Sequence, residues 1–86
     1  MNSESYIIAV NRNETRLYIR RHYIDRYHCI DGLSRFYREY DGRLTASDAL
    51  TFDNKSEAIA YIERNNLESG YPVKYDVCNN CAILEA

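Results

Sequence analysis

Residues 12–43 decide the fold of this chain, and they read RNETRLYIRRHYIDRYHCIDGLSRFYREYDGR. The stretch mixes β-branched and aromatic residues, which favour strands, with Asp-Gly pairs at 31–32 and 41–42, which are typical of hairpin turns. It predicts one strand over residues 15–24 and the next over 33–40, with a turn at each Asp-Gly pair.

A helix is the alternative for residues 33–40. Leu33, Phe36, Tyr37 and Tyr40 fall at helical spacing. Ser34 is a residue type that caps helices. The strand is favoured because the turn signals on both sides suit hairpins.

The remaining elements are predicted outward from this stretch. They are a strand over 6–10, a strand over 43–52 that breaks near 47–48, a helix over 56–64 capped by Asp53 or Asn54, and a strand over 71–77. The order β-β-β-β-α-β predicts an α+β fold, in which an antiparallel four- to five-stranded sheet carries one helix packed on one face. The 86 residues suffice for a single domain, residues 1–86.

Alternation along the second strand predicts one apolar and one basic face. Leu17 and Ile19 share the parity predicted to face the core, and the other parity is predicted to face solvent. Tyrosine and arginine are the side chains that most often anchor interfaces. The predicted partner-binding residues, on this basic face and beside it, are Tyr18, Arg20, His22, Tyr23, Arg26 and Tyr27.

The charge distribution bears on the class of partner. Residues 12–43 carry eight arginines and five acidic residues, whereas residues 44–86 carry three basic and seven acidic residues. Acidic residues interleaved with the arginines, and a calculated pI of about 5.6, disfavour nucleic acid. We therefore expect a host protein or ribonucleoprotein complex as partner, with a nucleic-acid-binding module that uses the Arg/Tyr face as the alternative.

A small zinc-binding domain is a further alternative. Cys78 and Cys81 have Cys-x-x-Cys spacing, and His22, His28 or Cys29 could complete a tetrahedral site. A second Cys-x-x-Cys pair is missing from the sequence, so we expect ordinary thiols, no metal and no cofactor.

The sequence does not predict an enzyme. Its three glycines are assigned to turns and not to a phosphate-binding loop. No serine or cysteine stands beside either histidine in an arrangement that the sequence identifies as catalytic. Three cysteines argue against a secreted disulfide framework, and no apolar run approaches the ~20 residues of a membrane span. The expected location is the cytoplasm.

A resemblance adds an expectation about function. The segment 49–62, ALTFDNKSEAIAYI, resembles a sequence pattern common in small phage and mobile-element proteins, in which a strand ending in Phe-Asp leads into a helix. The overall plan resembles small anti-CRISPR proteins, single compact domains that block a bacterial nuclease complex by binding it. The resemblance implies a non-enzymatic inhibitor that acts by protein–protein occlusion of a host complex such as a CRISPR effector, and it transfers no functional residue.

Overall fold

The computed structural model describes residues 5–25, 28–38 and 41–84, with the backbone alone for 22–25, 28–31 and 38. Its elements are β1 (Ser5–Arg12), β2 (Thr15–Asp25), β3 (His28–Arg38), β4 (Arg43–Leu44), α1 (Lys55–Arg64), β5 (Gly70–Asp76) and β6 (Cys81–Ile83).

The six strands form a closed barrel in the order β1-β2-β3-β4-β6-β5, and β5 pairs with β1 to complete the ring. The predicted open sheet of four to five strands with a helix on one face is therefore wrong. Two short strands account for the difference, because β4 joins β3 on one side and β6 on the other. Closure pairs the strand edges that an open sheet would leave exposed.

Both faces of β1 are buried, which explains its unbroken apolar run. Ile7 and Ala9 point into the barrel, while Ile8 and Val10 point outward beneath α1, and all four are at most 2% exposed. Continuous apolar runs are typical of strands covered on both sides.

The described side chains thus form two apolar cores, one on each side of the barrel wall. The inner core consists of Ile7, Ala9, Tyr18, Phe36, Leu44, Val73, Tyr75 and Ala82. The outer core consists of Ile8, Val10, Ile19, Leu50 and Ala58.

Helix α1 has one of the two N-caps that its sequence predicts. The side chain of Asn54 accepts a hydrogen bond from the backbone N–H of Glu57 at 2.9 Å, which makes Asn54 the N-cap. Ala58 is completely buried, and the ring of Tyr61 lies 5.5 Å from that of Phe52. A ten-residue helix is marginal in isolation, so its stability depends on this packing against the barrel.

The β2–β3 turn lies earlier than the Asp-Gly pair at 31–32 predicts. β2 ends at Asp25 and β3 begins at His28, so Gly32 lies inside β3, paired with Arg20. The strand assignment for residues 33–40 is confirmed as far as Arg38, which excludes the helix there; residues 39–40 lie outside the described residues.

Residues 48–52 fill the gap where β1 and β2 separate. β1 and β2 are paired as far as Ala9 and Tyr18. Beyond that point the backbone N–H of Leu50 donates to the carbonyl of Ile19 at 3.0 Å, and Phe52 exchanges two backbone hydrogen bonds with Tyr6. The broken fourth strand of the sequence prediction is therefore β4 followed by this bridging segment.

Candidate partner-binding surface

Tyr18, the first of the predicted binding residues, lies inside the barrel. Its side chain is 0% exposed, and its ring lies 5.3 Å from that of Phe36. The prediction that Tyr18 faces solvent is wrong, because barrel closure turned the face of β2 that carries it inward. Ile19 is buried as well, in the outer core, so alternation along β2 separates two buried faces here rather than core from solvent.

The hydroxyl of Tyr18 ends in a polar cluster at the barrel wall. It donates a hydrogen bond to Asp48 Oδ1 at 2.8 Å and lies 3.1 Å from Thr45 Oγ1. Burial of the ring raises the pKa of Tyr18 above its ordinary value, and the carboxylate of Asp48 acts in the same direction. The cluster therefore keeps the phenol protonated and holds the segment after β4 against β2.

Arg20 joins the same cluster from the neighbouring inward position of β2. Its guanidinium NH1 lies 3.8 Å from Asp48 Oδ2, and its side chain is 34% exposed. Its Nε lies 3.7 Å from where a Cβ would stand on Gly32, which lies opposite on β3. Arg20 is thus partly buried, with its Nε atom inaccessible to solvent and its NH1 atom close to the carboxylate of Asp48.

Sequence reasoning missed Asp48, which connects Tyr18 and Arg20. It lies 30 residues from Tyr18 along the chain, in a segment with no periodic pattern. An unexplained acid near a predicted strand break was the one available signal, and it did not indicate a partner.

Two of the other four predicted residues, His22 and Tyr23, lie in the far half of the β2–β3 hairpin. His22 is paired with Ile30 and Tyr23 with Cys29, and the side chains of His22 and Tyr23 lie outside the described residues. Arg26 and Tyr27 lie outside them altogether. The pairing assigns His22 and Tyr23 to one ribbon, apart from the buried Tyr18.

We define the arm as residues 22–25 of β2 together with residues 28–30 of β3. Arg21, at its base, is exposed, and its backbone N–H donates to the carbonyl of Asp48 at 2.8 Å. Among the described residues, no strand other than its hairpin partner pairs with either half of the arm. The arm is thus a two-stranded ribbon that continues beyond the barrel wall.

Of the two cysteines considered as zinc ligands, Cys78 lies in the β5–β6 turn and Cys81 is the first residue of β6. Cys78 is exposed, and the thiol of half-buried Cys81 donates to the carbonyl of Asn79 at 3.3 Å. The residues that the structure describes include no group of three or more His, Cys, Asp or Glu that could hold a metal. The side chains of His22, His28 and Cys29 lie outside the described residues.

Within the described ranges, no helix has the length and apolar character needed to cross a membrane.

No protein-family model, curated protein or solved structure matches this chain.

Proposed function

We propose that this chain is a non-enzymatic binding protein that docks on a protein partner through the arm. The observation that carries the proposal is that β2 and β3 remain paired beyond Arg21, the last residue of β2 bonded to the segment 48–52. An isolated two-stranded ribbon is marginally stable in water. Residues 22–30 therefore add a segment that the described barrel core does not need, and contact with a partner accounts for it.

The composition of the arm fits a protein interface. Its sequence holds His22, Tyr23, Arg26 and Tyr27 together with the acid Asp25. Tyrosine and arginine are enriched among residues whose removal costs most in binding, and mixed charges set the orientation of a partner. The paired ribbon also presents backbone N–H and C=O groups at its outer edges, to which an extended segment of a partner can add.

The partner class follows from the resemblance of this chain to small phage and anti-CRISPR proteins. We propose that the chain inhibits a host complex, such as a CRISPR effector, by occluding the surface on which the arm docks. The odd number of cysteines, three in the whole sequence, suits a reducing cytoplasm, where such a complex works.

The test compares the wild-type chain with a variant in which residues 22–30 are replaced by Asn-Gly. This dipeptide favours a two-residue hairpin turn between Arg21 and Asp31, which are paired. Each tagged protein is used to capture partners from bacterial lysate, with and without nuclease treatment. Loss of a nuclease-resistant partner in the short-arm variant, with an unchanged melting temperature, supports the proposal.

Point variants sharpen the result once a captured protein is purified. Tyr23→Ala and Tyr27→Ala should each weaken its binding by about 2 kcal/mol or more, as expected for interface anchors. Arg64→Ala, in the exposed last turn of α1, is the control and should not. Equal capture by the wild-type and short-arm chains would refute docking through the arm, and capture abolished by nuclease would favour nucleic acid instead.

A further inference from the structure

The turn between β5 and β6 carries two cysteines three positions apart. Cys78 is exposed, Cys81 is half-buried, and both thiols are free. Cys81 is paired with Asp76 across the hairpin, so the four residues 77–80 connect the two strands. We call residues 76–81 the thiol turn. Tight turns of this kind bring residues that are three positions apart close together.

Hydrogen bonds hold both residues that separate the cysteines. Asp76 accepts two hydrogen bonds from Asn79, one from its backbone N–H at 3.3 Å and one from its side-chain amide at 2.6 Å. From the barrel interior, the hydroxyl of Tyr75 donates to Asn80 Oδ1 at 2.5 Å. The backbone between the two cysteines is therefore restrained both by the turn itself and by a residue of the inner core.

The thiol of Cys81 is directed back over the turn. Its Sγ lies 3.3 Å from the carbonyl oxygen of Asn79, the residue that directly follows Cys78. The Cα atoms at the two ends of a four-residue turn lie within about 7 Å, and disulfides join Cα atoms that are about 4.4–6.8 Å apart. Rotation of the exposed Cys78 side chain is then the main movement that a bond between the two sulfur atoms requires.

We propose that Cys78 and Cys81 form a reversible disulfide when the chain reacts with a low-molecular-weight disulfide such as glutathione disulfide. The thiol turn is then a redox modification site. Cys78, which is exposed, is the thiol that glutathione disulfide reaches first, and half-buried Cys81 is the thiol that completes the reaction.

The reaction consists of two thiol–disulfide exchanges. The thiolate of Cys78 attacks one sulfur atom of glutathione disulfide, which forms a mixed disulfide and releases one glutathione. The thiolate of Cys81 then attacks the Cys78 sulfur of the mixed disulfide, which forms the bond between the two cysteines and releases the second glutathione. The cysteine pair loses two electrons and two protons in total, and glutathione disulfide is reduced to two thiols.

The new bond lies beside the seam at which β4 and β6 close the barrel. The backbone N–H of Leu44 donates to the carbonyl of Asn80 at 3.0 Å, and that of Ala82 donates to the carbonyl of Gly42 at 2.8 Å. These two hydrogen bonds are made by the residues on either side of Cys81. A disulfide that fits the folded turn restrains the unfolded chain more than the folded one. We therefore expect oxidation to stabilise the closed barrel.

The thiol turn is separate from the arm. It joins β5 to β6, whereas the arm belongs to β2 and β3, so this inference does not depend on the proposed protein partner.

The test uses the full chain with Cys29→Ser, in which the thiols of Cys78 and Cys81 are the only ones left. The protein is equilibrated with mixtures of reduced glutathione and glutathione disulfide, either folded in buffer or unfolded in urea, and is acid-quenched for mass spectrometry. We expect the folded chain to lose the mass of two hydrogen atoms without a glutathione adduct, and dithiothreitol to reverse this loss.

The equilibrium constant for the intramolecular disulfide should be about threefold or more higher in the folded chain than in the unfolded chain. The same linkage requires the oxidised chain to be more stable, with a melting temperature about 3 °C or more above that of the reduced chain. Adding Cys78→Ser gives the matched control, which should retain one glutathione as a mixed disulfide on Cys81 and form no intramolecular bond.

Three results would overturn the inference. They are glutathione adducts on both cysteines in place of the intramolecular bond, equal equilibrium constants in the folded and unfolded chains, and a melting temperature that oxidation leaves unchanged or lowers. If Cys29→Ser fails to fold, peptide mapping of the oxidised wild-type chain decides the matter, because a bond between Cys78 and Cys81 supports the inference and a bond to Cys29 refutes it.

Discussion

Replacing Tyr18 by Phe should destabilise the barrel while preserving its packing. The phenylalanine ring can keep the contact with Phe36, but it cannot make the 2.8 Å hydrogen bond to Asp48 or the 3.1 Å contact with Thr45. A hydrogen bond to a charged group contributes about 1.5–3 kcal/mol. We expect a loss in this range in the free energy of unfolding at neutral pH, which lowers the melting temperature of a domain this size by about 6 °C or more.

The assay is chemical denaturation at pH 7, repeated in a double-mutant cycle with Asp48→Ala. If the hydroxyl acts through Asp48, the double variant should be less destabilised than the sum of the two single variants by about 1 kcal/mol or more. Tyr71→Phe is the matched control, because Tyr71 packs against the inner core and no hydrogen bond of its hydroxyl is found among the described residues. Additive effects, or an equal loss in Tyr71→Phe, would refute the role given to the hydroxyl.

The pH dependence gives an independent check. Because the pKa of Tyr18 is raised in the folded state, the protonated phenol stabilises the fold below about pH 10, the ordinary tyrosine value. This contribution is lost as the pH rises through the folded-state pKa. The difference in stability between wild type and Tyr18→Phe should therefore narrow above about pH 10, and a difference that stays constant there would contradict the assignment.

Three further predictions concern the turns and the helix cap. Gly42→Ala should cost about 2 kcal/mol or more, because Gly42 has φ +74° and a Cβ there would collide with a backbone carbonyl of β6. Gly32→Ala, whose Cβ would make only an ordinary van der Waals contact with Arg20 Nε at 3.7 Å, should cost clearly less in the same denaturation assay. Asn54→Ala removes the N-cap of α1 and should cost about 1 kcal/mol, much of it restored by Asn54→Ser. Asn79→Ala should raise the pKa of Asp76 in an NMR titration, because side-chain and backbone hydrogen bonds from Asn79 hold that pKa below its ordinary value. At pH values above the ordinary pKa of an aspartate, the hydrogen bonds from Asn79 to Asp76 stabilise the fold, and this stabilisation is lost as the pH falls. The Asn79→Ala variant should therefore lose less stability than the wild type on acidification.

Local chemistry was sufficient to predict most elements. The sequence predicted a helix over 56–64 with Asp53 or Asn54 as its cap, a strand over 6–10 and a strand over 71–77, which correspond to α1, β1 and β5. These features are determined by neighbours within a few positions, which is the range over which capping and periodicity act. The Asp-Gly signal at 41–42 was also correct, because Gly42 adopts the positive φ that a tight turn requires.

The predicted binding surface could be derived only in part. Sequence alternation separates odd from even positions on β2, and the structure confirms that Tyr18 and Ile19 lie on opposite faces. Sequence alternation cannot show whether either face of β2 is exposed, because exposure depends on which other elements cover that face.

The sequence by itself determined the order of the first five strands and the helix, the helix cap, and the concentration of arginine and tyrosine in residues 12–43. Only the tertiary structure decided that the sheet closes, that Tyr18 is buried and bonded to Asp48, and that part of the β2–β3 hairpin continues as an arm. The physical reason is that closure depends on pairings between distant segments, such as β1 with β5 and β4 with β6. A two-residue strand such as β4 has too little local pattern to reveal those pairings in the sequence.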